Sequence, residues 1–380
     1  MRVGVVKETA AGERRVALDP DSVARLTKNG IDVDVQAGAG AGAFHEDADY
    51  EAAGATVIPD AASVWQRSDV ILKVNPPTAE EVDLLSAKSV VIAFLNPFRN
   101  PALVQRLAHR GATAFSMEMI PRISRAQGMD ALSSQSSVAG YKATLLAASA
   151  LGKFFPMMTT AAGTVRPARV FVIGAGVAGL QAIATARRLG AEVEAFDIRP
   201  VVKEEVQSLG ARFVEAELEE ETEAEGGYAQ EVSEAARRRE QELLAEHVAR
   251  SDVVITTAQV PGKKAPVLVT ANMLAAMSPG SVVVDLAADQ GGNVELSRPD
   301  EEVVYNGVTI LGPANLPSSL PVHASRMYAK NIMTLLEAII QDGELHLDLE
   351  DEIVDASLVA HAGEVRNERV RDAIAAESGD

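Results

Sequence analysis

The chain has 380 residues, of which 47 % are hydrophobic and 4 % aromatic, and its formal net charge is −19. A chain of this length normally forms two domains, and an acidic surface disfavours nucleic acid as a partner. The absence of cysteine excludes disulfides, thiolate nucleophiles and cysteine-based metal sites, and because the six histidines have no paired ligand spacing we predict no metal site.

The N-terminal segment, MRVGVVKETAAGERR, has no apolar run of the length that a signal peptide needs. The most apolar windows are 143–165, interrupted by Lys153, and 170–186, which contains three glycines. Neither window is a clean membrane span. We therefore expect a cytoplasmic chain with no direct membrane insertion, which reaches a membrane only through a partner.

The first half of the chain alternates short apolar strands with helices. Asp19 and Pro20 predict a helix start, since aspartate caps helices and proline suits the first position, and Gly30 is placed to end that helix. A further helix is predicted over 101–110. The strands of this half are predicted over residues 3–6, 31–35, 70–74, 90–95 and 113–117. This order favours a mostly parallel sheet with helices on both faces.

The second half repeats the pattern, with a predicted helix over 178–189. Its strands are predicted over residues 170–173, 193–196, 253–257, 282–286 and 308–311. A charged insertion over 215–246 begins with EAELEEETEAEGG, which we interpret as a mobile loop, and continues as a helix. A helix over 325–341 is expected to return to the first domain, and an acidic tail follows it.

A glycine-rich segment, VFVIGAGVAGLQAIATARRLGAEVEAFD, joins a predicted strand to a predicted helix. Gly174, Gly176 and Gly179 form the pattern GxGxxG, in which the glycines permit a tight turn, approach of a pyrophosphate and close packing of helix on strand. Ala175 and Val177 lie in the same turn, where the helix N-terminus offers N–H groups to phosphates. The turn is predicted to bind the pyrophosphate of NAD(H).

An acidic residue completes this fingerprint. Asp197 ends the next strand, about 20 residues on, where a carboxylate accepts hydrogen bonds from ribose hydroxyls and repels a 2′-phosphate. Ile198 and Arg199 follow it among the predicted cofactor-binding residues, and we interpret Arg199 as a solvated or adenine-side residue. The alternative, a glycine-rich turn that binds nothing, is disfavoured by the flanking strand, helix and carboxylate.

These patterns predict an α/β protein of two Rossmann-like domains, each a mostly parallel sheet with helices on both faces, separated by a cleft. The first domain is predicted to be discontinuous and to comprise residues 1–135 plus 318–380. The NAD(H)-binding domain is predicted over residues 136–317.

A second motif, PRISRAQGMDALSSQSSVAGYKA, is an unusually polar segment between the two predicted domains. Its polar residues within 14 positions are Arg122, Arg125, Gln127, Asp130, Ser133, Ser134 and Gln135. Such groups meet ligands in clefts between domains. An ordinary polar linker with capping serines fits the residues equally well, and both interpretations remain open at this point.

Together these segments and the N-terminal MRVGVVKETAAGERRVAL resemble the NAD(H)-binding component of proton-translocating nicotinamide nucleotide transhydrogenases. That component shares a superfamily with the alanine dehydrogenases. The resemblance extends through VPGKKAPVLVT, PGSVVVDLAADQGGN and LHLDLEDEIV, and so covers essentially the whole chain. Its most specific part is the pattern RxxxxQxxDxxS, formed by Arg122, Gln127, Asp130 and Ser133.

The resemblance implies hydride transfer from NADH on this chain to NADP⁺ on another subunit. It implies four catalytic residues: Arg122, Asp130 and Ser133 would hold the dihydronicotinamide, and Gln127 would reach towards the second nucleotide. Gly227 and Tyr228 match the family's mobile loop, and Ala258 and Gln259 match a strand end that contacts the nucleotide.

The resemblance also implies the assembly in which the chain works. The chain is expected to be a homodimer that acts with an NADP(H)-binding subunit and a membrane-spanning subunit. It would then lie at the cytoplasmic side of the inner membrane, peripheral to it, with transfer coupled to proton translocation.

The main alternative is an NAD-dependent amino-acid dehydrogenase that resembles alanine dehydrogenase. At the two positions where those enzymes carry a catalytic lysine and histidine, this chain has Asn75 and Asn96, which cannot act as acid or base near neutral pH. Arg15, matching a ligand of the substrate carboxylate, and Asp289 are retained. A non-catalytic NAD sensor is a third possibility, but it has no need of the pattern RxxxxQxxDxxS.

Overall fold

The computed structural model describes residues 1–215, 223–224, 228–229, 234–259 and 264–378. The strands are β1 (Arg2–Val5), β2 (Asp32–Gln36), β3 (Thr56–Ile58), β4 (Val70–Leu72), β5 (Val90–Ala93), β6 (Thr113–Ser116), β7 (Met158–Thr160), β8 (Gly163–Val165), β9 (Arg169–Ile173), β10 (Glu192–Phe196), β11 (Arg212–Val214), β12 (Glu223–Ala224), β13 (Tyr228–Ala229), β14 (Val253–Thr256), β15 (Val282–Asp285), β16 (Glu302–Tyr305), β17 (Val308–Leu311), β18 (Ile340–Gln341), β19 (Glu344–Leu345), β20 (Leu358–His361) and β21 (Glu364–Val365). The α-helices are α1 (Pro20–Lys28), α2 (Asp47–Ala52), α3 (Ala61–Arg67), α4 (Ala79–Asp83), α5 (Pro101–His109), α6 (Ala131–Ala150), α7 (Val177–Arg188), α8 (Lys203–Ser208), α9 (Glu234–Ala249), α10 (Ala271–Ala275), α11 (Pro321–Ile339), α12 (Glu352–Ser357) and α13 (Glu368–Ser378).

The chain divides into two compact units. The first unit comprises Met1–Gln135 and Pro317–Asp380, and the second unit comprises Ser136–Leu316. Among the described residues, no helix combines the length and the apolar character needed to cross a membrane.

The first unit is built on one sheet with the strand order β21-β20-β6-β5-β4-β1-β2-β3. Strands β1 to β6 pair in parallel, and β20 and β21 extend the β6 edge in antiparallel orientation. Successive side chains of a strand point to opposite faces. Accordingly, Leu72 packs in a core with Leu335 of α11, while Ile71 packs in a second core with Leu107 of α5.

The second unit is built on a sheet with the order β11-β10-β9-β14-β15-β17-β16. Neighbouring strands are parallel except for β16, which pairs antiparallel with β17 at the edge. Val172 of β9 packs with Ile183 of α7 on one face, and Phe171 packs with Leu244 of α9 on the other. The α/β class with two Rossmann-like domains and mostly parallel sheets, covered by helices on both faces, is therefore confirmed.

Local signals in the sequence place several elements correctly. The Asp19 carboxylate accepts the Ser22 N–H at 2.9 Å, and Pro20 is the first residue of α1, as predicted. The helix predicted over 325–341 begins earlier, at Pro321, because proline again occupies the first helical position.

One interpretation, the acidic tail, is wrong. After α11 the chain forms α12 and then β20, which joins the first sheet beside β6. The apolar residues Leu358, Val359 and Ala360 are fully buried there, so they outweigh the charged residues around them. Most of the acidic insertion, residues 216–222 and 225–227, lies outside the described residues.

Candidate functional site

The turn between β9 and α7 carries the predicted nucleotide fingerprint. Gly174 has a φ of 97°, in the left-handed region that favours glycine. A Cβ at Gly179 would lie 1.9 Å from the Gly174 carbonyl oxygen, so only glycine lets α7 approach the turn this closely. A Cβ at Gly176 would meet no atom within 4 Å, so the backbone there faces open space. This arrangement is the one that a pyrophosphate needs: close packing behind the turn and room in front of it.

Asp197 follows β10 directly and is held against the same turn. Its carboxylate accepts the backbone N–H of Ala175 at 2.7 Å and the backbone N–H of Arg199 at 2.9 Å. The Arg199 guanidinium donates to both carboxylate oxygens at 2.9 Å. Arg199 is therefore an ion-pair partner of Asp197 rather than a freely solvated side chain. Ile198 lies between the two, and Val177 is the first residue of α7.

A second chain segment reaches this turn from the end of β14. The Thr257 hydroxyl donates to the Gly174 carbonyl oxygen at 3.0 Å. Ala258 exchanges two hydrogen bonds with the Asn293 side chain, at 3.0 Å and 2.9 Å. The Gln259 amide donates to the Leu286 carbonyl oxygen at 2.8 Å. The structure thus brings the glycine turn, Asp197 and the Ala258 segment together at the carboxyl ends of adjacent parallel strands, where such sheets bind ligands.

Two of these residues were missed by the sequence reasoning. Thr257 and Asn293 fasten Ala258 and the glycine turn, but neither belongs to a fingerprint position. For Asn293 a signal existed, because it ends the segment PGSVVVDLAADQGGN on which the family resemblance partly depends. Its contact with Ala258, 35 positions away, requires the folded sheet.

The Arg122–Ser133 segment belongs largely to the first unit. Gln127 lies on a 3₁₀ turn, Ser124–Met129, which buries Ala126 and Met129, while Gln127 and the preceding Arg122 are exposed. Asp130 follows this turn and precedes α6. The structure therefore presents two long polar side chains on and beside a turn that is anchored by apolar neighbours.

Asp130 and Ser133 form a local pair. One Asp130 oxygen accepts the Ser133 N–H at 2.8 Å, and the other accepts the Ser133 hydroxyl at 2.5 Å. Asp130 therefore caps α6, which is the structural role that the alternative interpretation of this segment gives it. Capping also fixes the direction of both side chains, so it is compatible with ligand binding.

The mobile-loop residues are only partly within the described chain. Gly227 lies outside the described residues. Tyr228 lies on β13, where its backbone pairs with Ala224 of β12.

Polar side chains of the first unit form a buried network near the ends of β1 and β4. Arg15 is 7 % exposed and pairs with Glu13 through Nη2 and Oε2 at 2.7 Å. Its Nη1 donates to Gln135 at 2.9 Å. The Asn75 amide donates to Glu13 at 3.0 Å and to Glu8 at 3.2 Å. The retained arginine is thus held by a carboxylate of its own chain.

Asn96 lies after the adjacent strand, β5, with a φ of 49°. Its backbone N–H and that of Leu95 donate to the Glu118 carboxylate. Both asparagines that replace the dehydrogenase lysine and histidine therefore follow neighbouring parallel strands, and each lies beside a buried carboxylate. Asp289 lies in the second unit, on a short 3₁₀ turn, and is exposed.

Burial and hydrogen bonding shift the carboxyl groups of this network in different directions. Burial pushes the pKa of Glu13 upward, but hydrogen bonds from Arg15, the Arg15 charge and the Asn75 amide outweigh it and lower that pKa to about 2. Burial raises the pKa of Glu8 above its usual value, in spite of the opposing charge of Lys73. Burial also raises the pKa of Glu118. Glu13 is accordingly the group in this network that most strongly favours its ionised form.

No group of three or more acidic or histidine side chains in the described part of the chain is placed to hold a metal ion. The groups that the described site offers to a ligand are backbone N–H groups, carboxylates, hydroxyls, amides and guanidinium groups. Such groups can bind and orient a dinucleotide.

Comparisons with known proteins agree with this geometry. The family described as alanine dehydrogenase/PNT, N-terminal domain, matches residues 4–139, and its C-terminal domain matches residues 143–368. An NAD(P) transhydrogenase alpha subunit of Rhodospirillum rubrum is 46 % identical over 374 residues, which cover 96 % of this chain and 97 % of the relative.

Two solved structures show the same fold over nearly the whole chain. A transhydrogenase from Sinorhizobium meliloti superposes with a TM-score of 0.85 and 44 % identity, covering 97 % of this chain and 100 % of that one. An L-alanine dehydrogenase superposes with a TM-score of 0.82 and 28 % identity, covering 98 % and 99 % of the two chains. This chain belongs to the alanine dehydrogenase/PNT family.

Proposed function

We propose that the chain is the NAD(H)-binding alpha subunit of a proton-translocating transhydrogenase. The observation that carries the proposal is a complete dinucleotide turn, Gly174–Gly179 with Asp197, in a chain whose two candidate acid–base positions are Asn75 and Asn96. The identity of 46 % to a transhydrogenase subunit, against 28 % to an alanine dehydrogenase structure, supports the same choice.

The residues of the second unit bind the nucleotide in this proposal. The open space in front of Gly176 takes the pyrophosphate, and the N–H groups at the start of α7 donate to it. Asp197 accepts hydrogen bonds from the adenosine ribose, while Ala258 and Gln259 contact the nucleotide at the end of β14. Gly227, Tyr228 and Ile198 complete the proposed binding set.

The residues of the Arg122–Ser133 segment orient the reacting ring. Arg122, Asp130 and Ser133 hold the dihydronicotinamide and its carboxamide, and Gln127 extends towards the nucleotide of the partner. Bound NADH supplies a hydride ion that NADP⁺ on the partner accepts, giving NAD⁺ and NADPH with no proton exchanged. The chain therefore contributes position and exclusion of water, and it needs no general acid.

Arg199 bears on the choice of nucleotide. Both of its donor groups that face Asp197 are engaged at 2.9 Å, and the pair is largely buried. An arginine committed in this way is not presented to a 2′-phosphate. We therefore propose that the site prefers NAD(H), and that NADP(H) binds only on the partner subunit.

The proposed assembly follows from the same function. We propose a homodimer that works with an NADP(H)-binding subunit and a membrane-spanning subunit, which couples transfer to proton translocation. The chain would then lie on the cytoplasmic side of the inner membrane, bound through its partners.

The second candidate is an alanine dehydrogenase-like enzyme, which the retained Arg15 favours. In the structure the Arg15 guanidinium is paired with Glu13 through both Nε and Nη2, at 2.8 Å and 2.7 Å. A substrate carboxylate would have to compete with this internal carboxylate. Neither Asn75 nor Asn96 could then exchange a proton with the substrate.

A two-arm assay on the purified chain distinguishes these functions. One arm contains NADH, pyruvate and ammonium; the other contains NADH, an NADP⁺ analogue and the NADP-binding component of a related transhydrogenase. We expect hydride transfer only in the second arm. Turnover in the first arm alone would overturn the proposal in favour of the dehydrogenase.

A pair of variants sharpens the second arm. Arg122→Ala is expected to slow transfer at saturating NADH, because it removes a group that orients the ring. Arg106→Ala, which removes an exposed ion pair with Asp83 in the same unit, is the matched control and is expected to leave the rate unchanged.

A further inference from the structure

We propose that Asn331 of α11 is a positioning residue for hydride transfer, because it fixes the segment that carries Gln127, Asp130 and Ser133. The inference rests on the proposed function for its kinetic consequence, but its structural basis lies within the first unit alone. Asn331 does not face the nucleotide turn, and neither the fingerprint nor the pattern RxxxxQxxDxxS includes it.

The Asn331 side chain joins the two flanks of Asp130. Its Nδ2 donates to the Gly128 carbonyl oxygen at 2.9 Å, and its Oδ1 accepts the Ser134 hydroxyl at 2.7 Å. Gly128 belongs to the 3₁₀ turn before Asp130, and Ser134 belongs to the first turn of α6 after it. One buried amide, 7 % exposed, therefore sets the distance between the turn and the helix.

Close packing reinforces this link. A Cβ at Gly128 would lie 3.2 Å from Cγ2 of Thr334, one helical turn beyond Asn331 on α11. The turn therefore rests directly on the helix, with little space for a different backbone path. The same segment has a second tie, an ion pair between Arg125 and Asp351 at 2.5 Å, but Arg125 is 60 % exposed and such a pair contributes little.

The chemical consequence follows from the sensitivity of hydride transfer to distance and angle. Asp130 and Ser133 are already fixed relative to each other by two short hydrogen bonds. Asn331 fixes this pair relative to Gln127, which lies on the other side of the link. Misplacement of reacting groups by about 1 Å can cost on the order of 100-fold in rate. Asn331 thus governs the rate at saturating NADH more than it governs NADH affinity.

The test compares variants that remove one or both hydrogen bonds. Asn331→Leu removes both, Asn331→Asp keeps the acceptor for Ser134 but loses the donor to Gly128, and Ser134→Ala removes one bond from the loop side with little risk to folding. The matched control is Asn367→Ala, an amide of the same unit whose Oδ1 accepts the Val370 N–H far along the chain from this segment.

Three quantities are measured for each variant: kcat for transfer to NADP⁺ on the partner component, the Kd for NADH, and amide hydrogen exchange over residues 124–134. We expect Asn331→Leu to lower kcat by about 10- to 100-fold, with a smaller change in Kd and faster exchange over 124–134. The other two variants are expected to show the same pattern more weakly, and Asn367→Ala to show none of it.

The outcomes separate this inference from the proposed function. If the unaltered chain transfers hydride but Asn331→Leu and Ser134→Ala match it in both kcat and exchange, the positioning role is overturned and the function stands. If the unaltered chain transfers no hydride, the proposed function fails; exchange over residues 124–134 then decides whether Asn331 fixes the segment.

Discussion

The carboxylate of Asp197 accepts the backbone N–H of Ala175 at 2.7 Å, which ties the end of β10 to the turn between β9 and α7. The predicted ribose-binding and pyrophosphate-binding groups are therefore joined by a direct hydrogen bond within the second unit. The Arg199 guanidinium pairs with the same carboxylate. A change at Asp197 consequently alters both the charge of the site and the shape of the turn.

Asp197→Asn is expected to raise the Kd for NADH by about 10- to 100-fold, because hydrogen bonds to a charged group contribute roughly 1.5–3 kcal/mol each. Fluorescence titration of NADH measures this change. Asp252→Asn is the matched control in the same unit, since it removes an ion pair with Lys153 and leaves the turn intact. Equal NADH affinity in the two variants would count against the ribose role of Asp197.

The three fingerprint glycines are expected to respond differently to alanine. Gly179→Ala forces a Cβ to within 1.9 Å of a carbonyl oxygen, so it is expected to lower the free energy of unfolding by about 1–3 kcal/mol or more. Gly176→Ala meets no neighbour and its φ of −73° suits alanine, so the expected loss of stability is at most about 1 kcal/mol, from poorer capping of α7. Its main effect is to obstruct the pyrophosphate and weaken NADH binding by about 10-fold or more.

Urea unfolding and NADH titration distinguish the two effects. Gly152→Ala, where a Cβ also meets nothing within 4 Å, serves as the control and is expected to change neither quantity. Tight NADH binding by a stable Gly176→Ala variant would show that the pyrophosphate does not lie over this turn.

Glu13 gives a stability prediction that depends on pH. Its pKa is lowered to about 2 in the folded chain, against an ordinary value of 4.5. A lowered carboxyl pKa stabilises the fold above the unfolded value, and this contribution is lost as the pH falls through the folded value. The difference in unfolding free energy between the unaltered chain and Glu13→Gln is therefore expected to be largest above pH 4.5, at about 3 kcal/mol, and to shrink towards pH 2.

Urea unfolding at a series of pH values checks this difference directly. Glu80→Gln, a fully exposed carboxyl of the same unit, provides the comparison and is expected to show little change across the same range. A constant difference between the unaltered chain and Glu13→Gln from about pH 5 to about pH 2 would mean that the pair with Arg15 does not stabilise the folded state.

Signals that are local in sequence predicted much of the fold. The buried parallel strands are short apolar runs, and their alternate residues face two separate cores, as Leu72 and Ile71 do. The glycine turn was predictable because each glycine answers to a contact within the same strand, turn and helix. Caps such as Asp19 need only the residues next to them.

Contacts between distant segments could not be predicted in this way. Asn331 meets Gly128 across 203 positions, and Asn293 meets Ala258 across 35, so nothing near either residue signals its partner. Strand β20 was missed because Leu358–Ala360 is too short for a clear period and stands among charged residues. Its burial depends on the free edge of β6, which exists only once the sheet has formed.

The most direct test of the proposed reaction follows the transferred hydrogen itself. NADH that carries deuterium at both C4 positions is mixed with the purified chain, the NADP-binding component of a related transhydrogenase and NADP⁺ in ordinary water, and the NADPH formed is analysed by mass spectrometry. Direct transfer from NADH predicts that each NADPH carries one deuterium. NADPH without deuterium, or no NADPH at all with a component that is active with its own partner, would contradict it.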